Sequence, residues 1–510
     1  MNASVVLNDL RLIVPELIVM AALAVLIVYD LRLGRRQAHR AAVVGVAALG
    51  AAALVLAIEF FRTATRSAQT AFSGMLAVDA YASFFRLLVV VAALGALIFA
   101  LLSRELEDYR AGDFTTLLLC ATLGMMFMAS ARHFLMLYLA METLSLGSYA
   151  LAGFAKRDRF STEAALKYLI FGAVASGVML FGLSYLYGLT GSLSYDCVFS
   201  AEGVGSRFSI LAVLLMVLVG FGFKIAAVPF HFWAPDVYQG SPTPVTAFLA
   251  VGSKAAGMAM LLRFFAPLFD GLGSGADWAA AVAPWRGDFR WLLWLMSAAT
   301  MTFGNLAALR QWDIKRLLAY SSIAHAGYML MGVVVLDRAG FQAVLFYLVA
   351  YLFMNLGAFL VAVAMINESG SADFRRWRGT AGRLPLVAVL MGVFLFSLTG
   401  IPPTVGFVGK LLIFKAVIEA GLREAGQLWF YVSLALVGGV NTVLSLYYYV
   451  KVLKAMIVDE EERPSALVGA RMRPAAAGLL LMLGVPVIAL GVYFGPLIQM
   501  TAAAAGLYLH

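Results

Sequence analysis

Charge is scarce in this chain. Of its 510 residues only 13% are Asp, Glu, Lys or Arg, where ordinary soluble domains carry about 25%. A soluble globular protein is thereby excluded. Cysteine is nearly missing: Cys120 and Cys197 offer neither a disulfide framework nor a cluster-binding set, and Cys120 reads as a small core residue. The five histidines are too scattered for a metal site. Long polar loops are missing too, the longest running from about 267 to 288. No segment can fold as a soluble catalytic domain, and no Gly-rich phosphate loop occurs. Any redox chemistry therefore belongs to another polypeptide, and no cofactor is expected in this chain.

What fills the chain is apolar. Hydrophobic residues make up 63%, with a mean hydropathy of +0.91. Runs of about 20 apolar residues, enough to cross a hydrocarbon core of about 30 Å, recur from end to end. β-barrel strands would instead alternate in short segments. The sequence predicts an all-α polytopic membrane protein of about fourteen spans. They lie near 12–31, 41–61, 81–102, 114–130, 133–154, 164–190, 209–230, 243–266, 289–309, 316–336, 341–366, 384–419, 427–453 and 474–498. The first run is too long for a cleaved signal, contains Pro15 and Glu16, and ends in Asp30 and Arg32.

The net charge of +9 invites a nucleic-acid reading, but short loops rich in Lys and Arg set membrane orientation; no nucleic-acid partner is expected. Of the 37 Lys and Arg, six fall inside apolar stretches, and the rest divide 21 to 10 between alternate loops. The positive-inside rule puts the richer side in the cytoplasm and both termini in the periplasm.

Two spans carry breaks. The seventh ends in Val228-Pro229-Phe230-His231-Phe232-Trp233, and the twelfth, too long for one straight crossing, contains Gly400-Ile401-Pro402-Pro403. Each also holds a lysine, Lys224 and Lys410. Spans four to eight and nine to thirteen therefore read as two five-helix repeats, with Glu142 and His325 on their second members. Five is odd, so the second repeat must be inverted, a transporter design with its path at the midplane. The expected organisation is a three-helix segment over 1–110, a first repeat over 111–270, an inverted repeat over 285–455 and a last helix over 470–510.

Six basic side chains lie at lipid depth: Arg86, Lys167, Lys224, Lys254, Lys410 and Lys415. Each costs at least about 2.5–3.5 kcal/mol near the bilayer centre. Glu142 and Lys224, both flanked by apolar residues, read as a buried pair that holds or releases a proton when its separation changes; the plain alternative is a static ion pair that fixes packing. Lys254 sits among small residues, which leaves room for water. Lysine can deprotonate when desolvated and arginine effectively cannot, so a file of lysines suits a relay. Lys410 has the same character. Lys167, one turn into its helix, can snorkel, as can Lys415. Pairing with Asp79 would satisfy Arg86, and Glu16 reads as a buried structural acid or a subunit contact. His231 and His325 are the histidines placed among these groups, and imidazole suits a proton wire, although a lone histidine on an apolar face is more often only hydrogen-bonded.

Three long motifs resemble the antiporter-like subunits of respiratory complex I: Lys224 through Tyr238 followed by Gly240 through Phe248, Lys315 through Tyr328, and Leu398 through Lys410. The likeness runs over roughly 80–455. Within that family it points to the subunit N branch of bacterial NADH:quinone oxidoreductase, equivalent to mitochondrial subunit 2. The Asp236–Thr246 loop has the N form, Lys410 stands where the M branch is expected to carry glutamate, and no lateral helix follows the last span. The resemblance implies fourteen helices with two inverted repeats. It implies a proton-translocating role for Glu142, Lys167, Lys224, Lys254 and Lys410, with His231 and His325 on a hydrated axis. It also implies NADH, FMN, Fe–S clusters and quinone in partner subunits, contact with subunits M, K and J, and a bacterial inner membrane. A multi-subunit cation/proton antiporter or a membrane-bound hydrogenase subunit would share the fold.

Overall fold

The computed structural model describes residues 3–33, 38–64, 68–195, 207–266, 276–424, 426–460, 467 and 472–506. Cys197 and both chain ends lie outside the described residues. The chain is helical almost throughout. Helices α1 (Ala3–Leu12), α2 (Val14–Leu33) and α3 (Ala38–Thr63) lead into a small hairpin, β1 (Gln69–Ala71) with β2 (Leu76–Val78), and then α4 (Ala80–Leu102). Next come α5 (Ala111–Ser130), α6 (Phe134–Ala152), α7 (Arg159–Thr190), α8 (Arg207–Ile225), α9 (Trp233–Gly240), α10 (Thr243–Phe248) and α11 (Lys254–Phe265). Helices α12 (Ala276–Ala308), α13 (Ile314–Val334), α14 (Arg338–Ser369), α15 (Thr380–Arg383), α16 (Pro385–Thr399), α17 (Val405–Arg423) and α18 (Leu428–Leu453) follow. The chain closes with α19 (Pro474–Val492) and α20 (Gly495–Gly506).

Among the described residues ten helices are long and apolar enough to cross a membrane, or eleven if a bent pair counts as one span. That pair is Val5–Leu12 with Val14–Val28, bent by 83°; the predicted first run, 12–31, corresponds to α2, and α1 is a further short helix ahead of it. The predicted break in 384–419 is real: α16 ends at Thr399, Gly400 follows at φ +90, and α17 starts at Val405. The seventh span likewise stops at Ile225, and Ala226 turns at φ 57. Helix α12 begins at Ala276, well before the predicted 289, because alanines there favour helix. The predicted last span is two helices, α19 and α20.

The repeat is visible in how helices meet. A Cβ on Gly124 of α5 would lie 2.5 Å from Leu144 N of α6; one on Gly304 of α12 would lie 2.7 Å from Ala324 N of α13. Gly147 and Gly327 return the contact from the second helix of each pair, against Ala121 and Met301. All of these positions are 180 residues apart. Small residues let membrane helices approach backbone to backbone, which is where their packing energy lies. Helices α7 and α14 match as well: both have 32 residues, an Asp N-cap (Asp158, Asp337) and a left-handed Gly C-cap (Gly191, Gly370).

Helices α10, α11 and α13 are enclosed by protein on nearly every side, with α14 mostly so. Non-helical backbone and charge are tolerated at membrane depth only under such cover. A five-residue π-helical stretch, Leu249–Ser253, joins α10 to α11 directly before Lys254. Helices α2, α3 and α4 share a buried ion cluster of their own. Arg86 meets Glu16 at 3.0 Å and Glu59 at 2.5 Å. The predicted Arg86–Asp79 pair is not formed, because Asp79 is bonded at both oxygens to Arg263, at 2.8 and 2.9 Å. Arg263, counted with the loops in the sequence, is 1% exposed; its charge is held by that bidentate pairing.

Candidate functional site

A line of polar side chains crosses the enclosed middle of the molecule. At one end is Lys224, at the close of α8. It is buried, its ammonium is 5.9 Å from the Tyr168 ring centroid and 5.7 Å from that of Phe223, and among the described residues it makes no hydrogen bond. Its stem is crowded by α11: a Cβ on Gly257 would stand 3.2 Å from Lys224 Cβ. Gly257 is one turn past Lys254, so the two lysines come from helices in contact.

Glu142 on α6 is the acid whose charge reaches Lys224. No direct ion pair joins the two among the described residues, so the static-pair alternative is not what the structure shows. Glu142 Oε1 is buried without a partner, as is Lys224 Nζ. The hydroxyls of Tyr168, Ser148 and Ser253 are also buried without a hydrogen bond of normal geometry, and Tyr168 faces the other two. Buried polar groups are nearly always satisfied, by protein or by water.

Lys254 has a different setting. Its ammonium donates to the Ser322 carbonyl and, at 2.5 Å, to Ser322 Oγ. Tyr351 OH donates to the same hydroxyl at 2.9 Å, and Asn355 Nδ2 donates to Tyr351 at 3.0 Å. One turn along α13 from Ser322 is His325. Its Nδ1 lies 2.6 Å from Tyr347 OH and its Nε2 3.2 Å from Tyr449 OH, which in turn is 2.5 Å from Ser321 Oγ. Both Lys254 and Lys410 act electrostatically on this imidazole, which stands between them.

Lys410, in the second turn of α17, reaches back over the break. It donates to Thr399 O at 2.8 Å and lies 4.3 Å from the Tyr328 ring centroid. The break is what frees that carbonyl. The two segments are held tightly, since Gly406 N donates to Ser397 Oγ at 3.1 Å and a Cβ there would strike Ser397 O. Neither Lys254 nor Lys410 has a carboxylate partner among the described residues; carbonyls, hydroxyls and ring faces surround them.

The structure therefore brings together Lys224, Lys254, His325 and Lys410, with Glu142 within electrostatic range of the first. His231 and Lys167 stand apart from this line. His231 is buried between Phe232 and Phe303, at 4.4 Å from each ring, with neither ring nitrogen closing a normal hydrogen bond. Lys167 is 38% exposed and joins a rim cluster: it pairs with Asp236 at 2.6 Å and Glu163 at 2.8 Å, and Arg316 holds the other oxygen of Asp236 at 2.7 Å. Lys415 is exposed and near Glu419, at 3.7 Å.

Glu142 and His325 lie on the second helix of each unit, as read from the sequence, but at different positions in it. The residue 180 positions after Glu142 is Ser322; His325 matches Ser145. Sequence reasoning missed Ser322, Tyr328, Tyr347, Tyr351, Asn355 and Tyr449. Two stripes could have found them: Tyr347, Tyr351 and Asn355 recur every fourth residue, and Ser322, His325 and Tyr328 every third, so each set shares a helix face.

A membrane family described as NADH:quinone oxidoreductase/Mrp antiporter, transmembrane, matches residues 131–437. The NADH-quinone oxidoreductase subunit N 2 of Sorangium cellulosum (strain So ce56) is 43% identical over 97% of this chain and 96% of its own length. A chain in the structure of respiratory complex I from Thermus thermophilus with bound aureothin is similar at TM-score 0.76 and 34% identity, covering 96% of this chain and 99% of that one. A chain of the Mrp complex from Dietzia sp. DQ12-45-1b shares the fold, at TM-score 0.82 and 22% identity over 99% of this chain and 98% of that one. A polytopic helical chain with paired helix breaks, and with full-length identity to the subunit N proteins, belongs to the NADH:quinone oxidoreductase/Mrp antiporter family of membrane subunits, in its subunit N branch.

Proposed function

We propose that this chain is a proton-translocating membrane subunit of a complex-I-type NADH:quinone oxidoreductase. The observation that carries this reading is the pair of buried lysines, Lys254 and Lys410, placed on either side of His325 and given no carboxylate. A permanent charge at that depth would need a counter-ion. Lysines that alternate between charged and neutral forms need only the oxygens found there.

In this reading protons enter from the cytoplasm near Lys224, where Glu142 lowers the cost of the charged form. They pass to Lys254, cross the Ser322–Tyr351 and His325–Tyr347–Tyr449 bonds, and leave from Lys410. Hydroxyls and imidazole can each accept and donate, so such a series passes a proton by hopping. The unsatisfied groups around Lys224 are of the kind that water bridges in protein interiors. Lys167 and Asp236 lie at the cytoplasmic rim and His231 at the first break, where they would govern entry.

The remaining assignments belong to the same proposal. Fourteen spans are organised as 1–110, 111–270, 285–455 and 470–510. With five crossings per repeat the second starts from the opposite membrane face. Both termini are periplasmic and the membrane is the bacterial inner membrane. NADH, FMN, Fe–S clusters and quinone are held by other subunits, and subunits M, K and J are neighbours. Quinone reduction there drives this chain electrostatically or by conformational strain. The test is proton uptake by vesicles containing the assembled complex. Lys254→Ala and Lys410→Ala are expected to reduce pumping while native gels show intact complex; wild-type pumping in both would refute the reading.

A further inference from the structure

Beside the ends of α12 and α18, away from the lysine line, the surface holds an open groove of about 890 Å³. Its upper rim is cationic: Arg310, Lys451 and Lys454. Its floor descends over the apolar side chains Val443 and Val450 of α18, 71% and 42% exposed. Trp312 stands where the two zones meet, 44% exposed, with Lys451 Nζ 3.4 Å from its ring centroid and the Arg375 guanidinium 5.1 Å away on the same ring system.

The rim charges are incompletely answered. Arg310 and Lys451 make no ion pair among the described residues. Lys451 donates instead to two backbone oxygens, Leu309 O at 3.3 Å and Gln311 O at 2.9 Å. Lys454 has one acid, Asp459 at 3.5 Å, which it shares with Arg378. Arg375 is bound by Asp373 at 2.5 Å. Among the described lining residues the groove therefore keeps a positive rim above an apolar wall.

We propose that this groove binds an anionic phospholipid, its phosphate against Arg310 and Lys454 and its acyl chains along Val443 and Val450. The chemistry that fits is a singly or doubly negative phosphodiester head on two or more alkyl chains. Charge complementarity selects the head, since each nearby Lys or Arg attracts an anionic surface and basic pockets between membrane helices take such heads. The apolar wall directly below selects a lipid over a soluble phosphate. Indole at that boundary suits an interfacial position. A neighbouring subunit's acidic side chain is the rival occupant.

The test uses the assembled complex in vesicles of phosphatidylcholine doped with a photoactivatable phosphatidylglycerol, or with the matching phosphatidylcholine at the same mole fraction. Adducts are mapped by mass spectrometry to residues 443–454. The anionic probe is expected to label that segment several-fold more than the neutral one. Arg310→Gln with Lys454→Gln should lower its yield by about fivefold per charge, with quinone-coupled pumping unchanged. Equal labelling by the two lipids overturns the proposal, and so does a cross-link from this segment to another polypeptide in place of lipid. Should the double variant fail to assemble, the two-lipid comparison on the unmodified complex still decides.

Discussion

The two five-helix units share a frame and differ in how they treat buried polarity. In the first, Glu142, Ser148, Tyr168, Lys224 and Ser253 each bury a polar atom with no partner. In the second, the polar atoms are bonded: Ser322 accepts from Tyr351 and from Lys254 of the first unit, His325 bonds Tyr347 and Tyr449, and Lys410 donates to Thr399 O. The substitutions behind this are local. Where α6 has Glu142, Ser145 and Ser148, α13 has Ser322, His325 and Tyr328. Where α7 has Gly172, α14 has Tyr351, and the space at Gly172 is taken by the Tyr149 hydroxyl. One frame thus carries an acid–lysine pair whose buried polar atoms lack partners among the described residues and a set of hydroxyl–imidazole groups whose polar atoms are bonded within the protein. In the proposed path the acid stands where a proton is collected, and the hydroxyl–imidazole groups where it is passed on without a counter-ion.

Mutations can break that contrast. Lys254→Ala removes the group that joins the units, and pumping should fall about a hundredfold, the lower end of what a positioned proton-transfer group contributes; vesicle acidification coupled to quinone reduction measures it. In the first unit, Glu142→Gln and Lys224→Ala should each lower pumping about tenfold, and the double variant should lose less than the two losses multiplied, since groups that interact are not independent. Multiplicative losses would show that Glu142 and Lys224 do not act as a station.

The shared frame predicts equal fragility. Gly124→Ala and Gly304→Ala each drive a Cβ into the partner helix backbone, and overpacking of this kind costs about 1–3 kcal/mol. Both should lower the yield of assembled complex on native gels to a similar degree. A loss at one position only would mean that the units do not pack alike.

Smaller effects sharpen the relay. Ser322→Ala removes one of two acceptors from Lys254 and should cost about 1 kcal/mol, a several-fold loss of pumping; Ser322→Thr, which keeps the hydroxyl, should recover most of it. Lys167→Ala should have the least effect. Lys167 is 38% and Asp236 32% exposed, exposed pairs contribute about 0–1 kcal/mol, and Arg316 still holds the acid. Initial pumping rates would register the difference.

Much of this was legible in the sequence because lipid is a strict solvent. A lysine in an apolar run, or a proline pair in a span too long to be straight, has few innocent explanations, so Lys224, Lys254, Lys410 and the break after Thr399 could be read directly. Partners could not. Arg86 and Asp79 are seven residues apart and look like a pair, yet each is bonded to other helices, Arg86 to Glu16 of α2 and Glu59 of α3, and Asp79 to Arg263 of α11. Arg263 looked like a loop charge because it ends its helix; the enclosure of α11 buries it. Ser322 and the tyrosines were passed over because hydroxyls in apolar helices usually bond their own backbone one turn back, as Thr122 does with Leu118 O. Only packing reveals which of them face inwards.

The central claim is that Lys410 must gain and lose a proton. Its surroundings, Thr399 O at 2.8 Å and the Tyr328 ring at 4.3 Å, include no carboxylate among the described residues, so the account requires a titrating group there and not merely a positive one. Arginine separates the two, since it keeps the charge and cannot deprotonate at accessible pH. The deciding measurement is quinone-coupled proton uptake by vesicles carrying Lys410→Arg beside Lys410→Ala, with equal amounts of assembled complex. The account predicts that the arginine variant pumps no better than the alanine variant. Near-normal pumping with arginine would make Lys410 a fixed charge and contradict the relay.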